Sequence, residues 1–243
     1  MKHLKIKIMS IALLAAATSS MAQSLNKMNW LNEPQQWEIK EGKALVMDVP
    51  AKTDFWRISH YGFTVDDGPF YYATYGGEFE VKVKITGNYV TTFDQMGLML
   101  RIDHENWIKA GVEYVDGKQN VSAVVTHCTS DWSVVQLPDA PRSLWIKAVR
   151  RLDAVEIFFS RDDKEYTMMR TCWLQDNCPV MVGLMGACPD GKGFTATFEE
   201  FKVTPLADQR RLEWAKKQAN KQDSTISEIR KNILANMAQQ DNP

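Results

Sequence analysis

The sequence predicts an all-β fold, a two-sheet antiparallel β-sandwich of the jelly-roll type, followed by a C-terminal helical tail. Three observations predict it. Short segments with period-two alternation of apolar and polar residues recur between turn residues as far as Val203. No strand–helix–strand alternation and no internal repeat interrupts them. Only after that point does the apolar spacing lengthen to the three-to-four step of a helix.

The clearest alternation runs from Asp94 to Ser133. Met96, Leu98, Leu100 and Ile102 share one face of a first strand, with Gly97, Met99, Arg101 and Asp103 on the other. After the turn His104-Glu105-Asn106, Ile108, Ala110, Val112 and Tyr114 oppose Trp107, Lys109, Gly111, Glu113 and Val115. Asp116-Gly117 is a hairpin signal, because both residues tolerate positive φ. Val121, Ala123 and Val125 then alternate with Ser122, Val124 and Thr126. These three strands form a meander with one apolar face and one carrying Arg101, Lys109 and Glu113 beside Trp107.

Residues 1–22 carry the marks of a secretory signal. Lys2, Lys5 and Lys7 form a basic start, Ile8 to Ala17 an apolar run, and Ser20-Met21-Ala22 a small-x-small site before Gln23. The apolar run is short for a membrane span, which takes about 20 residues, and no second span is expected. Removal of the three lysines moves the net charge from −1 to −4. A mildly acidic chain offers no electrostatic case for nucleic acid or an anionic membrane. The expected location is therefore periplasmic or extracellular.

Residues 23–203 form the expected sandwich. Trp37 to Ile39 and Ala44 to Val49 make an opening strand pair around Glu41-Gly42, and Pro50 ends it. Residues 58–77 are expected to be a long loop, punctuated by Asp66-Asp67-Gly68-Pro69 and Gly76-Gly77 and dense in rings. Such a loop lying over a sheet is often part of a site. Phe79, Val81, Val83 and Ile85 alternate with Glu78, Glu80, Lys82 and Lys84, a face expected to be solvated. Further strands are expected at Trp132 to Leu137, Leu144 to Arg150, Ala154 to Ser160, Val180 to Gly186 and Phe194 to Val203. Residues 204–243 form the expected tail. Thr204-Pro205 reads as a helix start, and Thr225-Ile226-Ser227-Glu228 as a capping box for a second helix bearing Ile226, Ile229, Ile233, Leu234 and Met237 on one stripe. The tail is a candidate contact for a protein partner or a second copy.

The chemistry-bearing motifs are sparse. Cys172 and Cys178 close a short loop and are placed to pair, which would leave Cys128 with Cys188; free buried thiols are the alternative. No C-x-x-C occurs, and His60, His104 and His127 lack metal-ligand spacing, so neither a metal nor a cofactor is expected. Asp66-Asp67 and Asp190-Gly191 read as turns rather than calcium loops. No G-x-S-x-G, phosphate-binding loop, H-E-x-x-H or E-x-D-x-x-E occurs. Glu113 would meet Asp103 or Asp131 only across strands, so catalytic residues stay unassigned.

Several long segments resemble one family in order: DFWRISHYGF at 54–63, FYY at 70–72, the run DQMGLMLRIDHENWIKAGVEYVDGKQNVSAVVT, and SDWS at 130–133. The family is the regulation-of-enolase-like group of uncharacterised proteins with a concanavalin-A-like lectin/glucanase fold. The resemblance covers residues 29–203 and implies a two-sheet jelly roll; it carries no established activity. Its matching polar and aromatic positions include Trp56, Arg57, Tyr61, Tyr71, Tyr72, Gln95, Arg101, Asp103, Trp107, Lys109, Glu113, Asp131 and Trp132. From these the expected ligand-binding set is Tyr71, Tyr72, Gln95, Arg101, Trp107, Lys109, Glu113, Asp131 and Trp132. Arg101, Lys109 and Glu113 would bond hydroxyls, while Trp107, Trp132 and Tyr71 or Tyr72 would stack on a ring. The expected function is a secreted carbohydrate-binding or glycan-processing accessory protein with its ligand in a concave sheet groove. A non-catalytic envelope or interaction protein, and a glycoside hydrolase or lyase, are the alternatives.

Overall fold

Two seven-stranded antiparallel sheets pack face to face, each built from segments far apart in the chain. The structure, a computed structural model, describes residues 25–207, residue 214, residues 216–221, residue 225, residues 227–229 and residue 231. The proposed signal segment, 1–22, lies outside them. After one 3-10 turn (Leu25–Lys27), sixteen strands follow among the described residues. They begin with β1 (Asn29–Leu31), β2 (Trp37–Lys40), β3 (Ala44–Val49), β4 (Phe55–Arg57) and β5 (Thr64–Asp66). Next come β6 (Phe70–Tyr75), β7 (Phe79–Gly87), β8 (Gln95–Arg101), β9 (Asn106–Val115), β10 (Lys118–His127) and β11 (Thr129–Gln136). The last are β12 (Leu144–Arg151), β13 (Ala154–Ser160), β14 (Thr167–Trp173), β15 (Val180–Ala187) and β16 (Phe194–Pro205). One sheet has the order β1-β6-β15-β8-β9-β10-β11, the other β14-β13-β12-β7-β16-β3-β2, and β4 and β5 form a separate hairpin.

The meander forms as the alternation requires. In β8, β9 and β10 the apolar set Met96, Leu98, Leu100, Ile108, Ala110, Val112, Val121, Ala123 and Val125 faces the sandwich core. It meets Val81, Val83, Ile85, Ile146, Ile157 and Phe198 from the opposite sheet. Burying each large aliphatic or aromatic side chain stabilises by roughly 1.5–3 kcal/mol. Asp116 and Gly117 both hold positive φ, 49° and 77°, and turn β9 into β10. In β16 the parity of the inward residues changes from Phe198 to Phe201. The register shifts between Glu199 and Lys202, and Glu200 takes φ 54°, so one extra residue turns Phe201 and Val203 back to the core.

Several expectations need correction. The 58–77 stretch is no plain loop: Phe70–Tyr75 is a full strand between β1 and β15. Its run of aromatic residues favours an extended, half-buried chain over a turn. The strand β14 carries no clean alternation, being an edge strand with a register shift against β13, and was not anticipated. Thr204 and Pro205 do not start a helix. They end β16, opposite Glu80 and Phe79, where proline at the strand's end needs no donor. Thr225 is itself helical and its hydroxyl donates back to the Lys221 carbonyl at 3.0 Å, so it caps nothing. The stripe residues Ile226, Ile233, Leu234 and Met237 lie outside the described residues. The Lys82 and Lys84 face is not simply solvated; the two ammonium groups pair with Asp163 at 2.5 Å and Glu199 at 3.1 Å. All four cysteines are unpaired thiols, so neither Cys172–Cys178 nor Cys128–Cys188 forms. No helix among the described residues is long and apolar enough to cross a membrane.

Gly97 and Gly111 face each other across β8 and β9. A Cβ on Gly111 would stand 1.9 Å from the Met96 carbonyl oxygen, and one on Gly97 2.0 Å from that of Ala110. Their missing side chains therefore serve strand approach, not ligand room. Gly111→Ala is expected to destabilise the fold by about 1–3 kcal/mol through overpacking. Gly76→Ala, where a Cβ meets nothing within 4 Å, should stay within about 0.5 kcal/mol. Urea midpoints of the two variants check this, and equal midpoints would contradict it.

Candidate functional site

Over β8, β9, β10 and β15 the outer face of the first sheet is buried nearly as thoroughly as its core face, and the chain from Thr53 to Pro69 folds back over it. Phe55 and Trp56 on β4 join Phe70, Met99, Trp107, Val124, Met185 and Ala187 in a second apolar cluster. This flap explains why β8 has no exposed residue despite its alternation. It also sets the roles of the charged residues beneath it, since a buried charge needs a partner.

Arg101 holds the base of the flap. Its Nη1 and Nη2 donate to the two carboxylate oxygens of Asp66 at 2.5 and 2.6 Å, a two-pronged pair with Arg101 only 5% exposed. Lys109 Nζ donates to the Phe55 carbonyl at 2.7 Å and lies 3.5 Å from Asp54 Oδ1. It also sits 5.7 Å from the centre of the Trp107 ring. The flap's other side is tied by Arg57, whose backbone N–H donates to Ser130 Oγ at 2.9 Å and whose guanidinium pairs with Glu105 at 2.6 Å. Trp56 Nε1 donates to the Ser59 carbonyl at 2.9 Å, closing the flap's own tip.

Between the flap and the sheet lies a cavity of about 290 Å³. Rings of Trp56, Tyr61, Phe63, Phe93 and Trp132 wall it. Tyr61 and Phe63 stack at 5.7 Å, Trp56 meets Tyr61 edge-on at 5.5 Å, and Phe93 meets Trp132 edge-on at 6.4 Å. The polar lining is Asp54, Gln95, Lys109, Glu113 and Asp190. Glu113 is 6% exposed. Its Oε2 accepts from Ser122 Oγ at 2.6 Å and from Trp132 Nε1 at 2.8 Å. Burial pushes its carboxyl above the usual range, against the pull of Lys109 and the two hydrogen bonds, while the Asp54 charge adds to the rise. Aromatic walls beside the Gln95 amide, the Lys109 ammonium and the carboxyl groups make a site that can enclose a flat-faced polar ring and bond its substituents.

Of the expected ligand residues, Gln95, Lys109, Glu113 and Trp132 come together in this cavity. The others do not line it. Tyr71 faces the sandwich core and its hydroxyl donates to the Leu25 carbonyl. Tyr72 stacks on Phe70 at 5.1 Å. Trp107 is fully buried below Phe55, and Arg101 is consumed by Asp66. Asp131, with its side chain 69% exposed, pairs with Arg170 at 3.1 Å. Asp54, Trp56, Tyr61, Phe63, Phe93, Val124, Pro189 and Asp190 complete the lining. The density of rings in 54–63 is a usable signal for three of these, Trp56, Tyr61 and Phe63. Phe93 and Pro189-Asp190 sit in ordinary loops and had none.

The family model described as "Protein of unknown function (DUF1349)" matches residues 30–206. The chain is 34% identical over 180 residues to Regulation of enolase protein 1 of Saccharomyces cerevisiae, covering 74% of this chain and 90% of that protein. It is similar to the crystal structure of a functionally unknown protein from Saccharomyces cerevisiae, with TM-score 0.73 and 34% identity, over 76% of this chain and all of that one. A xylan beta-1,4-xylosidase from Bacillus halodurans C-125 is similar in fold alone, with TM-score 0.58 and 14% identity, over 75% of this chain and 38% of that chain.

Arg101→Met is expected to free the flap. It leaves Asp66 without its counter-charge, and because Asp66 is partly exposed the cost should be about 1–3 kcal/mol. Backbone amides of β4 and β5 should exchange with deuterium faster while those of β12 do not. Unchanged exchange at Phe55–Arg57 would show that the pair does not hold the flap.

Proposed function

The chain belongs to the DUF1349 family, and for this member we propose a ligand-binding role in which the flap cavity takes a single saccharide ring. The convergence of stacking planes and hydrogen-bonding side chains on one half-enclosed cavity carries the reading. A pyranose presents an apolar face to a ring and hydroxyls at its edge. Trp132, Phe93 and Trp56 supply the planes, while Gln95, Lys109 and Glu113 supply donors and acceptors. Its volume stands at the lower end of ligand pockets, roughly 300–1,000 Å³, which suits one ring rather than a long chain. The fold likeness to a xylosidase supports the jelly roll only, since unrelated functions share such folds.

Differential scanning fluorimetry of the purified protein against a panel of neutral, amino and acidic monosaccharides tests it. At least one should raise the melting temperature in a saturable way. Trp132→Ala should weaken that ligand about tenfold, or about 1.4 kcal/mol. If no saccharide moves the transition, the saccharide reading is wrong.

The proposal also places this protein outside the cytoplasm. The basic, apolar and small-x-small segments of residues 1–22 support that. N-terminal sequencing of protein recovered from its native cells should begin at Gln23; an intact Met1 would overturn the location.

A further inference from the structure

The cavity's charge is lopsided. Three carboxyl groups line it, those of Asp54, Glu113 and Asp190, against one ammonium, that of Lys109. Lys109 is already engaged by the Phe55 carbonyl and, more distantly, by Asp54. Its single charge is shared between Asp54 and Glu113, and the Asp190 side chain has no ion pair among the described residues, so carboxyl groups outnumber cations in the cavity. Glu113 is more than nine-tenths buried, and both of its hydrogen bonds go to Oε2. Oε1 has no hydrogen-bond partner among the described residues, and Glu113 lines the cavity. The aromatic walls add attraction for a cation, because ring faces carry negative potential.

We propose that the cavity selects a ligand bearing an ammonium group, which takes Glu113 Oε1 within the ring of Trp56, Phe93 and Trp132, and that it rejects carboxylate-bearing ligands. This rests on the reading of the cavity as a ligand site and names the chemistry that site takes. Two sources offer that chemistry, an amino sugar and a quaternary ammonium head group such as choline. An ammonium ion supplies what the desolvated carboxyl lacks, whereas a carboxylate would stand beside two like charges. Glu113 should ionise as the cation enters. Asp54, Lys109 and Asp190 are the charged groups of the cavity besides it. Because Glu113 titrates above its ordinary range, affinity for the cation should rise as pH climbs through that raised value. Affinity for a neutral ring should not follow.

Isothermal titration of the full chain with glucosamine, glucose, glucuronate and choline, at pH 5 and pH 7.5, tests the inference. Glucosamine or choline should bind at least tenfold tighter than glucose and glucuronate, more so at the higher pH, and whichever is tighter names the source. Glu113→Gln keeps an acceptor for Ser122 and Trp132 and should erase the preference of glucosamine and choline over glucose. Glucose binding as tightly as glucosamine, with choline no tighter, would overturn the ammonium preference and leave the saccharide reading standing. Glucuronate binding tightest would do the same. No binding by any of the four would overturn both.

Discussion

The two-pronged pair between Arg101 and Asp66 holds together the part of this molecule that is more than a sandwich. A jelly roll usually spends one face of each sheet on the core and leaves the other to water. Here a segment of the chain lies over the second face of one sheet, and the charged side chains of that face must find partners in the cover or on neighbouring strands. Arg101 finds a carboxylate, Lys109 a backbone carbonyl and Glu113 a hydroxyl and an indole. The three residues thus divide into an anchor, a bridge between flap and cavity, and a cavity group.

That division follows from position along the strands. Arg101 lies at the end of β8, under the β5 end of the flap, and Lys109 at mid-strand, under β4. Glu113 lies further along β9, at the cavity beside β10 and β11, where Ser122 and Trp132 reach it. The apolar cluster of Phe55, Trp107 and Met185 fills the space below β4 and ends where the cavity begins. Burial without full hydrogen bonding raises the carboxyl's affinity for a proton, and the same incomplete bonding prepares it for a cation.

Much of the fold was legible. Met96 to Leu100, Ile108 to Val112 and Val121 to Val125 alternate with period two, and a strand's own geometry sends alternate residues to one side. The Asp116-Gly117 hairpin was legible because its φ values are set by local sterics. What misled was equally local. Phe70–Tyr75 lies between turn residues and reads as loop, yet β15 and β1 on either side make it a strand. Thr204-Pro205 matches a helix start in isolation, yet pairing with Glu80 and Phe79 extends β16 through it. The site was half legible. Gln95, Lys109, Glu113 and Trp132 stood out, while Tyr71 and Trp107 looked like stacking platforms and are core.

The order of residues alone determined that the chain makes two antiparallel sheets with one strongly apolar surface between them, because side-chain alternation and turn chemistry act over two to four neighbours. Only the tertiary structure decided which polar residues anchor and which remain available. Asp54 and Asp66 reach Lys109 and Arg101 across 55 and 35 positions of sequence, and Phe93 and Asp190 arrive at the cavity from unrelated loops. Such meetings depend on how the flap folds over the sheet. No pattern along a strand encodes them, since a buried charge is defined by what lies across from it in space.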